Sequence, residues 1–182
     1  MRLFVAFDPP EDVKAALGAL VEHLRPSAPD AKWVPPQNVH ATISFLGEVG
    51  DERAGPIRDA LRSTAARYGP VPTATTGAGA FPSPRRARVL WAGLDDPLGA
   101  LVEIARGVAA ALEPLGFDPE RRAWTPHLTL ARFRVPANAA SLVDEAVVPR
   151  RAFVFEDLVL FRSRLARPAP VYELLDRFPF GA

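Results

Sequence analysis

The sequence contains no cysteine. This absence excludes disulfides, cysteine nucleophiles and cysteine-ligated metals, and it is typical of a protein from a reducing compartment. The apolar run at the N-terminus is too short for a signal peptide, and no apolar stretch reaches the length of a membrane-spanning helix. These features predict a cytoplasmic protein with no membrane association.

Lysine and net charge are also scarce. Lys14 and Lys32 are the only lysines, arginine supplies the other basic side chains, and the formal net charge is +1. A charge this small gives no strong overall field for attracting nucleic acid. Apolar residues make up 48% and charged residues 24% of the 182 residues, as in an ordinary globular chain. We therefore expect residues 1–182 to form a single domain, or two small lobes that share a core.

Several common catalytic motifs are missing. The sequence has no Gly-x-Ser-x-Gly nucleophile elbow and no His-Glu-x-x-His zinc motif. Gly77-Ala78-Gly79 lacks the third glycine of a dinucleotide-binding loop, and Pro82 follows it where a helix would have to begin. Two histidines without nearby carboxylates would make a poor metal site. We expect neither a metal nor another cofactor.

Two of the three histidines lie in similar apolar segments, His40-Ala41-Thr42-Ile43 and His127-Leu128-Thr129-Leu130. Such segments favour strands, in which residues i and i+2 point to the same face. Each His-x-Thr motif therefore presents an imidazole and a hydroxyl on one face, with apolar side chains opposite. Two core strands that hold a polar pair by coincidence are the alternative interpretation. The third histidine, His23, lies in a helical segment without such a neighbour.

A pair of imidazoles suits general acid–base catalysis. The unperturbed pKa of histidine is about 6.5, so one ring can be neutral while the other is protonated near neutral pH. Threonine hydroxyls can donate hydrogen bonds to phosphoryl oxygens and stabilise developing charge. Such a site needs no metal when the substrate carries a strained electrophile, for example a 2′,3′-cyclic phosphate.

The order of predicted elements is almost repeated along the chain. Strand–helix–strand–helix–strand–strand is followed by helix–strand–helix–strand–strand, and the two motifs lie about half a chain length apart. Two similar lobes would bring the motifs together at a shared groove. The predicted helices are 11–24, 51–68, 97–114 (with Leu98 in its apolar stripe) and 139–147. The predicted strands include 3–7, 73–80, 88–94, 126–134, a long strand region at 152–162, and 171–175.

Further segments surround the two motifs and complete a family pattern: Arg2–Phe7, Trp33, Asn38–Thr42, Gly79–Arg85, Val89–Leu94, Thr125–Arg132, Leu160–Ser163 and Pro170–Leu174. With these segments the chain resembles the two-histidine (2H) phosphoesterase superfamily. More narrowly, it is similar to the bacterial and archaeal RNA 2′,3′-cyclic phosphodiesterases, also called 2′-5′ RNA ligases. The resemblance covers essentially the whole chain.

The resemblance implies an α+β fold of two lobes, with pseudo-two-fold duplicated antiparallel sheets, flanking helices and a central cleft. It also implies hydrolysis of an RNA 2′,3′-cyclic phosphate to a 2′-phosphomonoester. His40 would be the proton donor to the leaving 3′ oxygen, and His127 the proton acceptor that activates water. Thr42 and Thr129 would hold the phosphate. With a 5′-hydroxyl in place of water, the same site would form a 2′-5′ linkage without ATP.

Two further positions each fall five residues after a motif histidine. The resemblance implies that Phe45 stacks on a base and that Arg132 binds phosphate. Strict strand alternation points both side chains away from the histidine face, so a bulge or a strand end would have to redirect them. The same alternation places Ser44 on the His40 face. A packing role for Phe45 is an equal alternative, whereas a charged Arg132 would be costly in a core.

Two other functions stay open at this point. One is a 2H phosphodiesterase that acts on another cyclic phosphate, such as ADP-ribose 1″,2″-cyclic phosphate. The other is a non-catalytic module that holds RNA ends. The implied partner is an RNA with a 2′,3′-cyclic phosphate end, for example a tRNA fragment, and a monomer is the default state.

Overall fold

The computed structural model describes residues 1–119, 122–167 and 169–181. These residues form four α-helices: α1 (Glu11–Leu24), α2 (Asp51–Ala65), α3 (Ala100–Leu112) and α4 (Ala140–Glu145). They also form strands β1 (Arg2–Phe7), β2 (Lys32–Trp33), β3 (Ala41–Glu48), β4 (Val71–Phe81), β5 (Ala87–Leu94), β6 (His127–Ala137), β7 (Ala152–Phe155), β8 (Asp157–Arg164) and β9 (Val171–Pro179). None of the described helices is long and apolar enough to cross a membrane.

The strands form two antiparallel sheets, which we call sheet A (β3-β1-β8-β9) and sheet B (β2-β6-β5-β4-β7). One unit of the chain runs β1-α1-β3-α2-β4, and a second runs β5-α3-β6-α4-β8, with the edge strands β2, β7 and β9 outside this repeat. The units exchange their last strands, since β4 pairs with β5 and β8 pairs with β1. The predicted α+β fold of duplicated antiparallel sheets with flanking helices is confirmed.

Helix α1 follows its apolar periodicity. Buried side chains recur every three or four residues on one stripe of the helix, because that face packs against the core; they are Val13, Leu17, Leu20, Val21 and Leu24. On β1, Leu3, Val5 and Phe7 join the same main core. Phe4 and Ala6 point to the opposite face and form a second, smaller cluster with Val159 and Phe161 of β8.

The start of α3 differs from the prediction. Asp96 does cap the helix, since its carboxylate accepts hydrogen bonds at 3.1 Å from the backbone N–H groups of Leu101 and Val102. The helix nevertheless begins only at Ala100, because the residues after Asp96 form a turn that ends at Gly99 with φ +70°. Leu98 therefore lies outside the helix and is 92% exposed, so its predicted place in the apolar stripe was wrong.

The predicted strand region at 152–162 is two strands in different sheets. β7 pairs with Val71–Ala74 of β4 at the edge of sheet B, whereas β8 lies between β1 and β9 in sheet A. Glu156 lies between them outside either strand. The chain changes sheets at this residue, and a single continuous strand could not satisfy both sets of backbone partners.

Candidate active site

The first motif ends in a β-bulge. Thr42 pairs with Ala6 of β1, and Ser44 pairs with Val5, so Ile43 between them has no partner of its own. Two residues on β3 thus occupy the space of one on β1. The alternation of side chains shifts by one position after the bulge.

The second motif has a bulge at the equivalent position. Thr129 pairs with Trp91 of β5, and Ala131 pairs with Leu90, so Leu130 has no partner of its own. Leu130 and Ala131 are both fully buried, although they are neighbours in sequence. In each motif the extra residue therefore comes three positions after the histidine.

The bulges redirect the two side chains that strict alternation would turn away. Phe45 pairs with Phe4, its ring centroid lies 5.9 Å from that of Phe4, and Phe4 in turn lies 4.8 Å from His40. Phe45 therefore shares the His40 face and is 60% exposed there. Arg132 is exposed, and its charge lowers the pKa of His40 from the opposite sheet.

Ser44 does not share the His40 face. Because it follows the bulge, it pairs with Val5, whose side chain belongs to the main core. Together with Ile43 and Trp124 it lines a cavity of about 420 Å³ beside helix α3. The predicted orientation of Ser44 was wrong for the same reason that Phe45 reaches the cleft.

Both imidazoles are held in the same way. Nδ1 of His40 lies 2.7 Å from the backbone oxygen of Asn38, and Nδ1 of His127 lies 2.7 Å from that of Thr125. A carbonyl oxygen can only accept a hydrogen bond, so each Nδ1 carries a proton and donates. The proton that each ring gains or loses on titration is then the one on Nε2.

An aromatic wall surrounds His40. The ring centroids of Phe4, Tyr172 and Phe161 lie 4.8, 5.1 and 5.9 Å from the imidazole. Burial against this wall lowers the pKa of His40 to about 4, although the Asn38 carbonyl and the nearby Asp8 charge favour the protonated form. His40 is therefore neutral at pH 7 in the ligand-free protein.

Charged side chains lie on both sides of this wall. The Asp8 carboxylate accepts from Lys14 at 2.7 Å and from Arg177 at 2.6 Å. Burial alone would lower the pKa of Lys14, but its hydrogen bonds to Asp8 and Glu11 outweigh that effect and raise it. This network fixes a carboxylate near His40 whose charge is already compensated by two cations.

Arg132 faces the His40 wall from sheet B. Its positive charge lowers the pKa of His40, and it also opposes the rise that burial causes in the pKa of Tyr172. Among the residues that the structure describes, no carboxylate pairs with the Arg132 guanidinium. A bound anion between the sheets would supply that missing charge.

His127 has its own aromatic neighbours. Phe81 meets it edge-on with a centroid distance of 5.1 Å, and the indole of Trp91 lies at 6.3 Å. Trp91 lies on β5, next to the histidine strand in sheet B, and Phe81 lies on β4, one strand further away. Each motif histidine thus stands beside aromatic side chains of its own sheet.

The threonines complete both motifs. Thr42 and Thr129 are partly exposed, and neither hydroxyl has a protein hydrogen-bond partner within the described part of the chain. The backbone oxygen of Thr42 accepts a hydrogen bond at 2.7 Å from the indole of Trp124, which lies just ahead of the second motif. This bond connects the strand ends that carry the two histidines.

The six residues predicted for the site divide between the sheets. His40 directly precedes β3, which carries Thr42 and Phe45 in sheet A, and His127, Thr129 and Arg132 lie on β6 of sheet B. Over residues 1–119, 122–167 and 169–181, no group of three His, Cys, Asp or Glu side chains could hold a metal ion. Independence from metals stays a prediction.

Sequence reasoning gave no role to several residues that form the site. The Asn38 side chain donates to the backbone oxygen of Pro170 at 2.7 Å and so ties the first motif to the loop before Tyr172. Asn38 and Tyr172 were visible only as members of the family pattern. The contact between Asn38 and Pro170 depends on β9 lying beyond β8 in sheet A, which periodicity does not reveal. Phe81 and Trp91 likewise appeared only within the family pattern, without a role of their own.

Comparison with known proteins assigns the family. The family described as LigT-like phosphoesterase matches residues 7–91 and 93–172, and both histidine motifs lie within the matched segments. The chain belongs to the LigT-like phosphoesterases. The resemblance inferred from the sequence is thereby confirmed.

Other LigT-like phosphoesterases match along nearly the whole chain. The RNA 2′,3′-cyclic phosphodiesterase of Methanothermobacter thermautotrophicus is 31% identical over 182 residues, which cover 98% of each chain. That of Thermus thermophilus is 35% identical, covering 98% of this chain and 89% of the relative. The crystal structure of TT0787 from Thermus thermophilus has a TM-score of 0.79 at 32% identity, covering 99% of this chain and 98% of that one. E. coli LigT in complex with 3′-AMP has a TM-score of 0.72 at 26% identity, covering 98% and 97%.

Proposed function

We propose that this LigT-like phosphoesterase hydrolyses the 2′,3′-cyclic phosphate at the end of an RNA to a 2′-phosphomonoester. The observation that carries the proposal is the matched construction of the two motifs. Each provides an imidazole anchored through Nδ1, a threonine hydroxyl, and a third side chain that a bulge turns toward the cleft. Relatives named RNA 2′,3′-cyclic phosphodiesterases support the choice of substrate.

In the proposed reaction His127 is the base and His40 the acid. Nε2 of His127 takes a proton from water as the water oxygen bonds to phosphorus. Nε2 of His40 gives a proton to the 3′ oxygen as the bond between that oxygen and phosphorus breaks. Thr42, Thr129 and Arg132 hold the non-bridging oxygens, whose charge they stabilise.

The acid role requires a change at His40 when substrate binds. With a pKa of about 4, only a small fraction of the ligand-free protein carries the proton that His40 would donate at pH 7. The anionic phosphate of the substrate favours the protonated imidazole and compensates the Arg132 charge that opposes it. Substrate binding therefore causes His40 to take up from solvent the proton that it then donates.

Phe45 supplies a surface for the terminal base. It is 60% exposed and stands beside the His40 wall, on the side of the proposed leaving oxygen. Stacking of one base on an aromatic side chain contributes about 1–3 kcal/mol without selecting a sequence. A relative, E. coli LigT, forms complexes with 3′-AMP, NADP+ and ATP, each of which contains an adenosine.

The same geometry can transfer the phosphate to a 5′-hydroxyl. His127 would then take the hydroxyl proton in place of a water proton, and the product would be a 2′-5′ linkage with a free 3′-hydroxyl. The strained cyclic phosphate provides the driving force, so no nucleotide cofactor enters the reaction. We include this ligation in the proposed function because the same bound cyclic phosphate can be attacked by water or by a 5′-hydroxyl.

Turnover of a short RNA with a 2′,3′-cyclic phosphate end, measured in EDTA, tests the proposal. We expect the wild type to release a 2′-phosphate, and His40→Ala and His127→Ala each to lose at least about 10²-fold in kcat. Product identity is established by chromatography against 2′- and 3′-phosphate standards. An activity that EDTA abolishes and a metal restores would contradict the mechanism.

The same assay separates the alternatives. Turnover of ADP-ribose 1″,2″-cyclic phosphate without turnover of the RNA would show that the substrate is not RNA. It would leave the two-histidine mechanism in place. Binding of RNA ends without turnover of any cyclic phosphate would indicate a non-catalytic module.

A further inference from the structure

One tryptophan of sheet B has an unusual environment. Trp33 donates its indole N–H to the Ala28 oxygen at 3.1 Å, and Trp124 donates to the Thr42 oxygen at 2.7 Å. The buried indole nitrogen of Trp91 has no hydrogen-bond partner among the described residues. An unsatisfied buried donor is unfavourable, and such a group calls for an explanation. A hydrogen bond from the indole to the protein therefore does not explain the presence of a tryptophan at position 91.

Gly79 makes room for the Trp91 ring. A Cβ atom added to Gly79 on the neighbouring strand would lie 2.3 Å from Cζ2 of the indole, whereas one added to Gly93 would be in ordinary contact with the ring at 3.5 Å. The ring thus occupies space over β4 that a side chain at position 79 would fill. It lies on the same face as His127, since its centroid is 6.3 Å from that imidazole and 5.2 Å from Phe81.

A cavity opens beside this ring. It has a volume of about 860 Å³ and is bounded by Trp91, Gly93 and Thr76 on the sheet, by Thr125 and Pro126 ahead of His127, and by Arg106 on helix α3. The volume falls within the range of ligand sites in proteins. The cavity is therefore adjacent to the histidine that would activate the attacking group.

We infer that Trp91, with Phe81, is the binding surface for the nucleoside that carries an attacking 5′-hydroxyl. The inference rests on the proposed function and adds a site to it. The leaving 3′ oxygen belongs to the nucleoside on the His40 side, so the attacking group enters from the His127 side. A base stacked on Trp91 would bring its 5′-hydroxyl to Nε2 of His127.

The bonds and protons of the transfer to the 5′-hydroxyl are all accounted for by the two histidines and the two nucleosides. The 5′ oxygen bonds to phosphorus and gives its proton to His127, while the bond between phosphorus and the 3′ oxygen breaks and His40 protonates that oxygen. Water needs no stacking surface to take the same path. Trp91 should therefore affect transfer to a 5′-hydroxyl far more than hydrolysis.

The experiment measures the ratio of transfer to hydrolysis. An RNA with a 2′,3′-cyclic phosphate end is incubated with an excess of a short RNA that has a 5′-hydroxyl, and the 2′-5′-linked and 2′-phosphate products are quantified. We expect Trp91→Leu to lower this ratio by roughly tenfold or more, which is the usual scale of one base–aromatic stack. Because Trp91 also lies beside His127, the transfer of each variant is compared with the hydrolysis that the same variant shows without acceptor.

Two glycine variants on one strand provide a matched pair. Gly79→Ala would displace the indole without altering any group that touches the phosphate, so it should lower the ratio as Trp91→Leu does. Gly77→Ala meets no atom within 4 Å and should leave the ratio unchanged. Retained hydrolysis shows that each variant is folded.

The outcomes separate this inference from the proposed function. A wild type that hydrolyses but does not transfer, an unchanged ratio in Trp91→Leu, or an equal fall of hydrolysis and transfer would each overturn the acceptor site and leave the hydrolase intact. A wild type with no hydrolysis would contradict the proposed function itself.

Discussion

At the scale of single residues, the proposed chemistry depends on the environments of two identical side chains, His40 and His127. Both motif imidazoles donate from Nδ1 to a backbone oxygen two residues earlier, so their orientation is set by local chain geometry. His40 is additionally packed against Phe4, Tyr172 and Phe161, and burial there lowers its pKa to about 4. The aromatic wall thus makes the protonation of His40 dependent on what else occupies the cleft.

The first prediction concerns that dependence. A phosphate anion should raise the pKa of His40 by roughly 1–2 units from its ligand-free value of about 4, because an opposite charge favours the imidazolium. Since protonated His40 binds the anion better, phosphate affinity should rise as pH falls toward 4. The measurement is an NMR titration of the histidine ring signals with and without inorganic phosphate.

The exposed His23 lies outside the cleft and provides the control, since its signals should not respond to phosphate. In kinetics, the alkaline limb of kcat, which reports the complex, should lie at higher pH than that of kcat/KM, which reports the free enzyme. A His40 pKa that phosphate leaves unchanged or lowers would contradict the acid role.

At the scale of elements, the two faces of a strand have different surroundings. One face packs into the main core, and the other faces the motif histidine. On β1, Val5 belongs to the main core, whereas Phe4 belongs to the small cluster under His40. The bulges at Ile43 and Leu130 repeat this division on the histidine strands, because they turn one further side chain, Phe45 or Arg132, to the face of the histidine.

The second prediction separates the two faces of β1. Val5→Ala should lower the free energy of unfolding by about 2 kcal/mol, because it leaves a cavity in the main core, and should not change the pKa of His40. Phe4→Leu should raise that pKa toward its ordinary value, since it removes part of the wall that excludes water. Denaturant unfolding and NMR titration of both variants provide the test. Equal pKa changes in the two variants would show that the faces are not separate.

At the scale of the whole molecule, the two units exchange β4 and β8, so neither sheet is complete without strands from both. The Trp124 bond to Thr42 adds a link between the strand ends that carry the histidines. This construction explains how two motifs far apart in sequence come to lie on neighbouring strands of different sheets.

The third prediction follows from the exchange. Denaturant should unfold the protein in a single transition, with coincident curves from tryptophan fluorescence and far-UV circular dichroism. Trp33 and Trp91 report on sheet B, whereas circular dichroism reports on all elements. A loss of circular dichroism at lower denaturant concentration than the fluorescence change would show that the lobes unfold separately.

Much of this architecture follows from local sequence signals. Periodicity placed β1 and α1 correctly, and the repeated His-x-Thr pattern located both histidine strands and the pairing of lobes. The expected roles of Phe45 and Arg132 called for a bulge or a strand end, but the position of a bulge could not be predicted, because an extra residue leaves no mark until the partner strand is known. Ser44 was misplaced for this reason. The change of sheet at Glu156 and the contacts of Tyr172 and Trp91 also depend on distant pairing. The local pattern therefore predicts the candidate site residues, and the long-range pairing determines what surrounds them.

The central claim is that His40 and His127 act as one acid–base pair, and the kinetics of the double variant test it most directly. The fourth prediction is that His40→Ala and His127→Ala each lower kcat on the cyclic phosphate by about 10²–10⁴-fold, while the double variant falls little further, because residues that act as a unit are strongly non-additive. His23→Ala should be fully active. If the losses multiplied in the double variant, or if either single variant kept its activity, the two imidazoles would not be a catalytic pair.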